Sequence, residues 1–417
     1  MVNILADSPV TLREAILNRR MLICIFTGFA SGMPLWVLLH LVPAWLTDKG
    51  VSLSDIALFA LVGIPYNWKF IWAPLMDRYV PPFLGRRRGW MLVTQVALLF
   101  SIGTLGWLEP EYSLGNVAVL AFAVAFFSAS QDVVLDGYRR ELLPDHELGL
   151  GNTSHVQAYR ISVLVPGSLA LVLADHIAWS LVFWIVAVFM LVGIALCLAI
   201  SEPDSELPEA SNLQEAVVAP FREYVQRRGW RALILALSFM FLYKLGDSMA
   251  TALSTPFYLD LGFTMTQIGL VAKNAGLWAG IVGGLLGGVL MIKIGINRAL
   301  WLFGVVQIVS IFGFAVLAEA GPVLWLLAAV IVFEYLGVGL GTAAFVAFIA
   351  RETSKQYAAT QFALFSALTA LPRTFANATT GVIVESVGWT QFFLFCALIA
   401  LPGMILLFWV APWSRTD

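Results

Sequence analysis

Nine ionisable side chains fall inside long apolar stretches of this chain: Lys69, Asp132, Asp136, Arg160, Lys244, Asp247, Lys273, Glu334 and Arg373. A charge at the centre of a lipid-embedded helix is unfavourable by at least about 2.5–3.5 kcal/mol unless it faces a partner or a wet cavity. Such residues therefore mark where chemistry is done. Asp132 and Asp136 are four apart, on one helical face, where two carboxylates repel and a low dielectric keeps one of them protonated. A carboxyl that trades its proton near neutral pH is what a proton-coupled process needs, although one of the pair could instead neutralise Arg160 permanently. Glu334 offers a second protonation site or a partner for a basic group. His40 titrates in the right range for a proton relay, but a lone histidine of this kind more often packs and hydrogen-bonds.

The basic residues suit an anionic, polar ligand. Lys244 and Asp247 are three apart and can pair with each other as readily as with a ligand. Arg373 has no acidic residue within a helical turn, which leaves a cross-helix partner or a ligand carboxylate gripped by its guanidinium. Lys69 and Lys273, with Tyr66, Trp68 and Trp278, could build a basic, aromatic wall on which sugars stack and carboxylates dock. Gln131 beside Asp132, and Arg160 one span later, complete the candidate binding set. Gly283, Gly284, Gly287 and Gly288 have the small-residue spacing that lets helices approach closely, and packing explains them. No P-loop, nucleophile elbow or HExxH motif occurs, and the three cysteines have no paired spacing. ATP-driven chemistry, standard hydrolysis, metal sites and bound cofactors are thus not indicated.

The elements that must position these groups are helices in lipid. Of 417 residues, 60% are hydrophobic and 12% charged, against about 45–50% and about 25% in soluble domains. Twelve runs are long enough to span a bilayer: 21–46, 55–73, 90–108, 115–138, 154–174, 178–200, 231–258, 266–291, 299–318, 322–349, 359–380 and 388–411. The first run is too long for a cleaved signal and is read as a retained helix. With the N-terminus inside, 18 of the 24 Lys and Arg fall in inner segments, which predicts cytoplasmic termini. The chain divides into 1–200, a polar linker 201–230 with a short interfacial helix, and 231–417. The two halves repeat at an offset near 211: Gly50–Ile56 parallels Gly262–Ile268, Arg140-Glu141 parallels Arg351-Glu352, and Asp175 with Trp179 parallels Glu385 with Trp389. An all-α membrane protein follows, with two six-helix bundles related by a pseudo-two-fold axis and a ligand path between them. Nothing suggests nucleic-acid binding; protons and the lipid bilayer are the general partners.

Between the second and third runs lies Pro74-Leu75-Met76-Asp77-Arg78, followed by Gly85-Arg86-Arg87-Arg88. This resembles the loop signature of the major facilitator superfamily, with Ala73 where a glycine is expected and a longer stretch before Gly85. Together with Gly28–Pro34, Ser128–Asp132 with Asp136, Tyr243–Asp247 and Ala359–Leu364, the chain resembles the AmpG-type muropeptide permeases over nearly its whole length. Some members carry further C-terminal membrane segments, whereas this chain stops at Asp417 after the twelfth run. The resemblance implies the major facilitator fold, import of anhydromuropeptides by proton symport, and a place in a bacterial inner membrane. It also implies gating roles for Asp77, Arg78, Arg86 and Arg87. A monomer is expected. Another anionic solute, such as acetyl-CoA, or a siderophore stays open as the alternative cargo.

Overall fold

The structure is a computed structural model and describes residues 18–73, 76, 79–143, 148–202, 222–352, 365, 368, 370 and 372–413. Asp77, Arg78, most of the eleventh expected run and the polar linker up to residue 221 lie outside the described residues. Everything described is helical or turn. Among the described residues, ten helices are long and apolar enough to cross a bilayer: α1 (Arg19–Asp48), α3 (Arg86–Leu105), α4 (Pro110–Leu142), α5 (Ser154–Ala174), α6 (Trp179–Ala199), α7 (Trp230–Asp260), α8 (Met265–Met291), α9 (Lys293–Ala320), α10 (Leu324–Glu352) and α12 (Trp389–Val410). The second expected run, here α2 (53–71), is helical but broken: α-helix over Leu53–Leu58 and Ile64–Trp68 alternates with 3-10 turns at Phe59–Gly63 and Lys69–Ile71. Of α11 (372–387), the segment Thr380–Val387 is a regular α-helix. Large apolar side chains stay exposed on the outer faces, Leu181, Leu285, Leu398 and Phe408 among them, as surfaces solvated by lipid require.

The helices sort into two kinds. α3 and α10 run without interruption, whereas α1, α2, α5, α7 and α8 are interrupted where they meet the other half. The first helix has a π-turn at Val37–Leu41 just after Pro34, the fifth has one at Leu164–Leu169 around Pro166, and the eighth has one at Ile268–Ala272. The seventh breaks at Leu253 before resuming at Ser254–Asp260. Such breaks survive in a membrane only where the freed backbone groups face protein or a cavity, so they trace the surface between the halves. The glycine cluster of α8 divides the same way. A Cβ on Gly283 or Gly287 would strike the α10 backbone, while Gly288 has open space and Gly284 faces Arg160, so only two of the four serve helix packing.

The internal repeat is written in matching hydrogen bonds. Trp179 Nε1 donates to Asp48 at 2.7 Å in the first half, and Trp389 Nε1 donates to Asp260 at 2.6 Å in the second. Ser52 caps the start of α2 and Thr264 that of α8. Across the halves the exchange is reciprocal: Glu385 accepts from the Ser54 backbone N–H at 2.9 Å, and Asp175 accepts from the Thr266 backbone N–H at 2.7 Å. Each carboxylate satisfies an orphan donor at the first turn of its opposite number, where the helix dipole favours negative charge.

These contacts lie at the end of the bundle that carries few basic residues, opposite the loops holding Arg86–Arg88, Arg139, Arg140 and Arg351. We call the two ends arginine-poor and arginine-rich. The halves are closed at the arginine-poor end, where a Cβ at Gly381 would collide with the Leu53 carbonyl of the other half. Gly381→Ala should therefore push this closure apart. In single-cysteine protein, maleimide labelling at position 54 should speed up several-fold; an unchanged rate in folded protein would mean that Gly381 is not a contact point of the closed end.

Candidate binding and proton sites

In the first half the site is built on α1, α2, α4 and α5. Asp132 Oδ1 accepts a 2.5 Å hydrogen bond from Ser31 Oγ, and Lys69 Nζ lies 3.5 Å from its other oxygen. Close approach of α1 to α5 positions this group, because a Cβ on Gly28 or Gly32 would strike the backbone of His155 or Tyr159. Tyr66 sits beside Ser128 and within electrostatic reach of Asp132. Gln131 is fully buried, and among the described residues neither end of its amide has a hydrogen-bond partner. A cavity of about 400 Å³ runs past Ser31, Trp36, Asp132, Tyr159 and Arg160 toward Arg139 and the half-exposed Asp136. That volume is within the range of ligand pockets.

The expected aspartate pair is therefore split. Asp132 stays at depth, while Asp136 reaches the arginine-rich end and pairs with Arg139 at 2.7 Å. Four residues on one helix rise about 6 Å, enough to carry the second carboxylate out to the mouth. Neither aspartate neutralises Arg160, which lines the cavity and makes no ion pair among the described residues. Its Nη1 lies 3.8 Å from where a Cβ on Gly284 of α8 would stand, so the guanidinium reaches across to the other half.

In the second half Lys244 Nζ meets Asp247 Oδ2 at 2.8 Å, and both side chains are about nine-tenths buried (9% and 10% exposed). Glu334 is wholly buried next to Asp247 and Ser310. Among the described residues no donor reaches either Glu334 oxygen in good geometry. Arg373, half-buried on α11, is in electrostatic reach of Asp247. Asn377 and Ser248, hydrogen-bonded at 3.0 Å, tie α11 to α7 one turn away. Two carboxylates and two cations are thus gathered in a low dielectric, and their formal charges cancel.

The basic, aromatic wall does not form as one unit. Lys69 turns to Asp132, whereas Lys273 points to Thr255 Oγ1 at 2.7 Å and His40 Nδ1 at 3.0 Å. Trp278 shares the exposed face of α8 with Val282, Leu285 and Val289. Arg86 and Arg87 are buried and both bind Glu141, at 2.9 and 2.7 Å, so they fasten α3 to α4 within one half. Glu202 closes that end by accepting from the Arg87 and Arg88 backbone N–H groups. The repeat-related Glu352 is held instead by the linker helix 222–228, through Tyr224 at 2.8 Å. Burial and the Glu352 carboxylate push the Tyr224 phenol well above its ordinary value. Ser31, Trp36, Tyr159 and Thr255 were not singled out by sequence. Ser31 lies within the Gly28–Pro34 motif, but short polar residues in apolar runs carry no distinctive signal of their own.

Comparison with known proteins now assigns the family. The profile described as Major Facilitator Superfamily matches residues 24–377. The chain belongs to the major facilitator superfamily. It is 51% identical to an uncharacterized protein of Haemophilus influenzae over 98% of both chains. It is also 43% identical to the anhydromuropeptide permease of Escherichia coli K12, over 93% of this chain and 79% of that one. A putative transporter AmpG 4 of Rickettsia felis is 31% identical over 92% of this chain and 94% of its own. Among solved structures, a point mutant of the nucleoside transporter NupG superposes with a TM-score of 0.74 at 12% identity, covering 95% of this chain and 100% of the other. A D-xylose-proton symporter gives a TM-score of 0.73 at 13% identity, covering 95% and 98%. The major facilitator fold is thus shown, and this AmpG-related member of the superfamily is a multi-pass transporter rather than an enzyme.

Within this superfamily member the Lys244–Asp247 pair is a structural liability if half of it is removed. Asp247→Leu leaves a buried ammonium and should destabilise the protein by about 3–5 kcal/mol. The double replacement Lys244→Met/Asp247→Leu should recover most of that loss. Thermal unfolding of detergent-solubilised protein compares the two; equal losses would show that the pair is not a unit.

Proposed function

We infer that the chain imports anhydromuropeptides from the periplasm into the cytoplasm together with protons. The observation that carries this reading is the 43% identity to a named anhydromuropeptide permease along 93% of the chain. The spans that bear Asp132, Lys244, Asp247 and Glu334 lie inside that matched length, and the cavity beside Asp132 offers both aromatic and charged walls. On this reading the arginine-rich end is cytoplasmic, by the excess of Lys and Arg there. Both termini then face the cytoplasm of a bacterial inner membrane. Residues 1–200 and 231–417 form the two bundles, with 201–230 as the linker, and the closed arginine-poor end faces the periplasm.

The cavity and the buried polar groups near the path take the following roles on this reading. Trp36 and Tyr159 present ring edges and faces suited to a sugar, and Gln131 offers an unspent amide. Arg160 and Arg373 suit the carboxylates of a peptide stem. In the second half the charges of Lys244, Asp247, Glu334 and Arg373 balance. A ligand carboxylate drawn to Arg373 adds one negative charge, and a proton taken up by Glu334 or Asp247 restores neutrality. Substrate and proton are thereby bound together, which is what symport requires. Asp132, held by Ser31 and Lys69, is a second carboxyl able to exchange a proton with the cavity. Alternating rocking of the two bundles would then carry both across.

The test is uptake of labelled anhydromuropeptide into inverted or right-side-out vesicles of known orientation, with and without an imposed proton gradient. Gradient-driven accumulation by wild type, lost in Asp132→Asn and Arg373→Ala while the protein stays folded in the membrane, is the expected result. Folded wild type that takes up none of this ligand would overturn the cargo and leave a superfamily carrier of another solute.

A further inference from the structure

Where the two halves meet toward the arginine-poor end, two nitrogen bases from opposite halves touch. Lys273 Nζ lies 3.0 Å from His40 Nδ1 and donates at 2.7 Å to Thr255 Oγ1. Lys273 is 7% exposed. The junction is built where irregular backbone converges: His40 is in the π-turn of α1, Lys273 directly follows that of α8, and Gly167 is in that of α5. A Cβ on Gly167 would lie 3.6 Å from both His40 Cδ2 and Lys273 Cγ. Each base is eight residues from the arginine-poor end of its helix, Asp48 for α1 and Met265 for α8, so both sit about 12 Å in from that end. On its other side the imidazole stacks on Trp36, with ring centroids 5.4 Å apart and planes 2° apart.

Of the other charged groups on the surrounding helices, Arg160 of α5 lines the cavity that Trp36 shares, and the carboxylates are engaged elsewhere. Asp132 of α4 is held by Ser31 and Lys69, and Glu334 of α10 lies with Asp247. Tyr159 of α5 and Tyr335 of α10 are phenols, and α7 contributes only the Thr255 hydroxyl. Lys273 is the one charged group among the described residues that acts on His40. The contact therefore has simple proton arithmetic. An N···N hydrogen bond needs a lone pair on one partner, so the closed junction holds no more than one proton beyond the neutral pair. Once the halves part, the two groups are separated and hydrated, and each can carry its own.

We propose that His40 and Lys273 form a proton-binding latch on the arginine-poor gate, in which a second proton taken up by His40 holds that gate open. This site is separate from the carboxylates of the transport path. Its side of the membrane is the periplasm only if the orientation inferred above holds, whereas the latch itself does not depend on that reading or on the cargo. Acid on that face then draws empty carrier toward the state open to it, and closure requires the extra proton to leave His40.

The experiment measures the gate directly and needs no substrate. Spin labels go on cysteines at Tyr112 and Trp325, which are 82% and 72% exposed at the arginine-poor ends of α4 and α10; the three native cysteines are buried and stay in place. Distances are recorded in lipid nanodiscs between pH 8 and pH 5.5. Hydrated imidazole titrates near 6.5 and exposed carboxylates near 4, so this window selects histidines, and the H40Q comparison separates His40 from the other three, His176 beside Asp175 at the same end included. In wild type the long-distance, open fraction relative to the closed one should rise by up to about tenfold per pH unit below ~6.5, as one linked proton dictates. H40Q keeps an acceptor for Lys273 but cannot take the proton, and its distances should not respond. K273Q removes the ammonium that excludes a charged His40 from the closed gate, and the response should collapse there too. A wild type whose distances ignore pH, or an H40Q or K273Q protein that responds as fully as wild type, would overturn the latch. Because either variant decides the matter, misfolding of one leaves the test intact.

Discussion

A charge inside a bilayer needs a counter-charge or water, and this requirement organises the molecule. Most ionisable side chains described at depth are engaged or line a cavity: Asp132 with Ser31 and Lys69, Asp247 with Lys244, Lys273 with His40 and Thr255, Arg160 on the cavity wall; Glu334, beside Asp247, is the exception. The same requirement acts on backbone groups. α1, α5 and α8, which face the other half, keep π-turns whose freed groups find protein or the cavity. Partner-finding thus sets both where the path runs and which helices can change shape along it.

The two ends of the molecule answer the requirement differently. At the arginine-rich end, the bonds described stay within one half or run to the linker: Arg86 and Arg87 on Glu141 in the first half, and Tyr224 of the linker helix on Glu352 of the second. Nothing in those bonds resists separation of the halves. At the arginine-poor end the bonds cross, with Glu385 on the start of α2 and Asp175 on the start of α8. Closure of one end and access from the other follow from which partners lie in the same half. A single exposed carboxylate on a helix N-terminus contributes about 0.3–1 kcal/mol. Two reciprocal ones, with the buried junction beneath them, make a gate that is closed yet within reach of thermal opening.

Much of this was legible in the sequence because hydropathy and periodicity are local. Ten of the twelve apolar runs, the i,i+3 pairing of Lys244 with Asp247, and the repeat linking Asp175 and Trp179 to Glu385 and Trp389 are seen among the described residues. The reciprocal capping gives the repeat a physical meaning that the sequence could only suggest. What stayed hidden depends on depth and on partners far along the chain. Helical periodicity placed Asp132 and Asp136 on one face, but it could not show that about 6 Å of rise would separate a buried carboxylate from an exposed one. Lys69 and Lys273 read as one basic wall, yet Lys69 turns to a partner 63 residues ahead and Lys273 reaches one 233 residues behind, in the other half. Ser31 and Thr255, which finish those two sites, are ordinary polar residues in apolar runs.

The distribution of charge between the halves bears on how coupling works. The first half holds its buried carboxylate with one hydroxyl and one ammonium at 3.5 Å, a loose arrangement beside an open cavity. The second half packs two carboxylates and two cations together, and Glu334 has no hydrogen bond in good geometry among the described residues. A balanced but incompletely hydrogen-bonded group is sensitive to any added charge, because a low dielectric magnifies each change. The first half is therefore the better place to admit a polar ligand, and the second the better place to register that it has arrived.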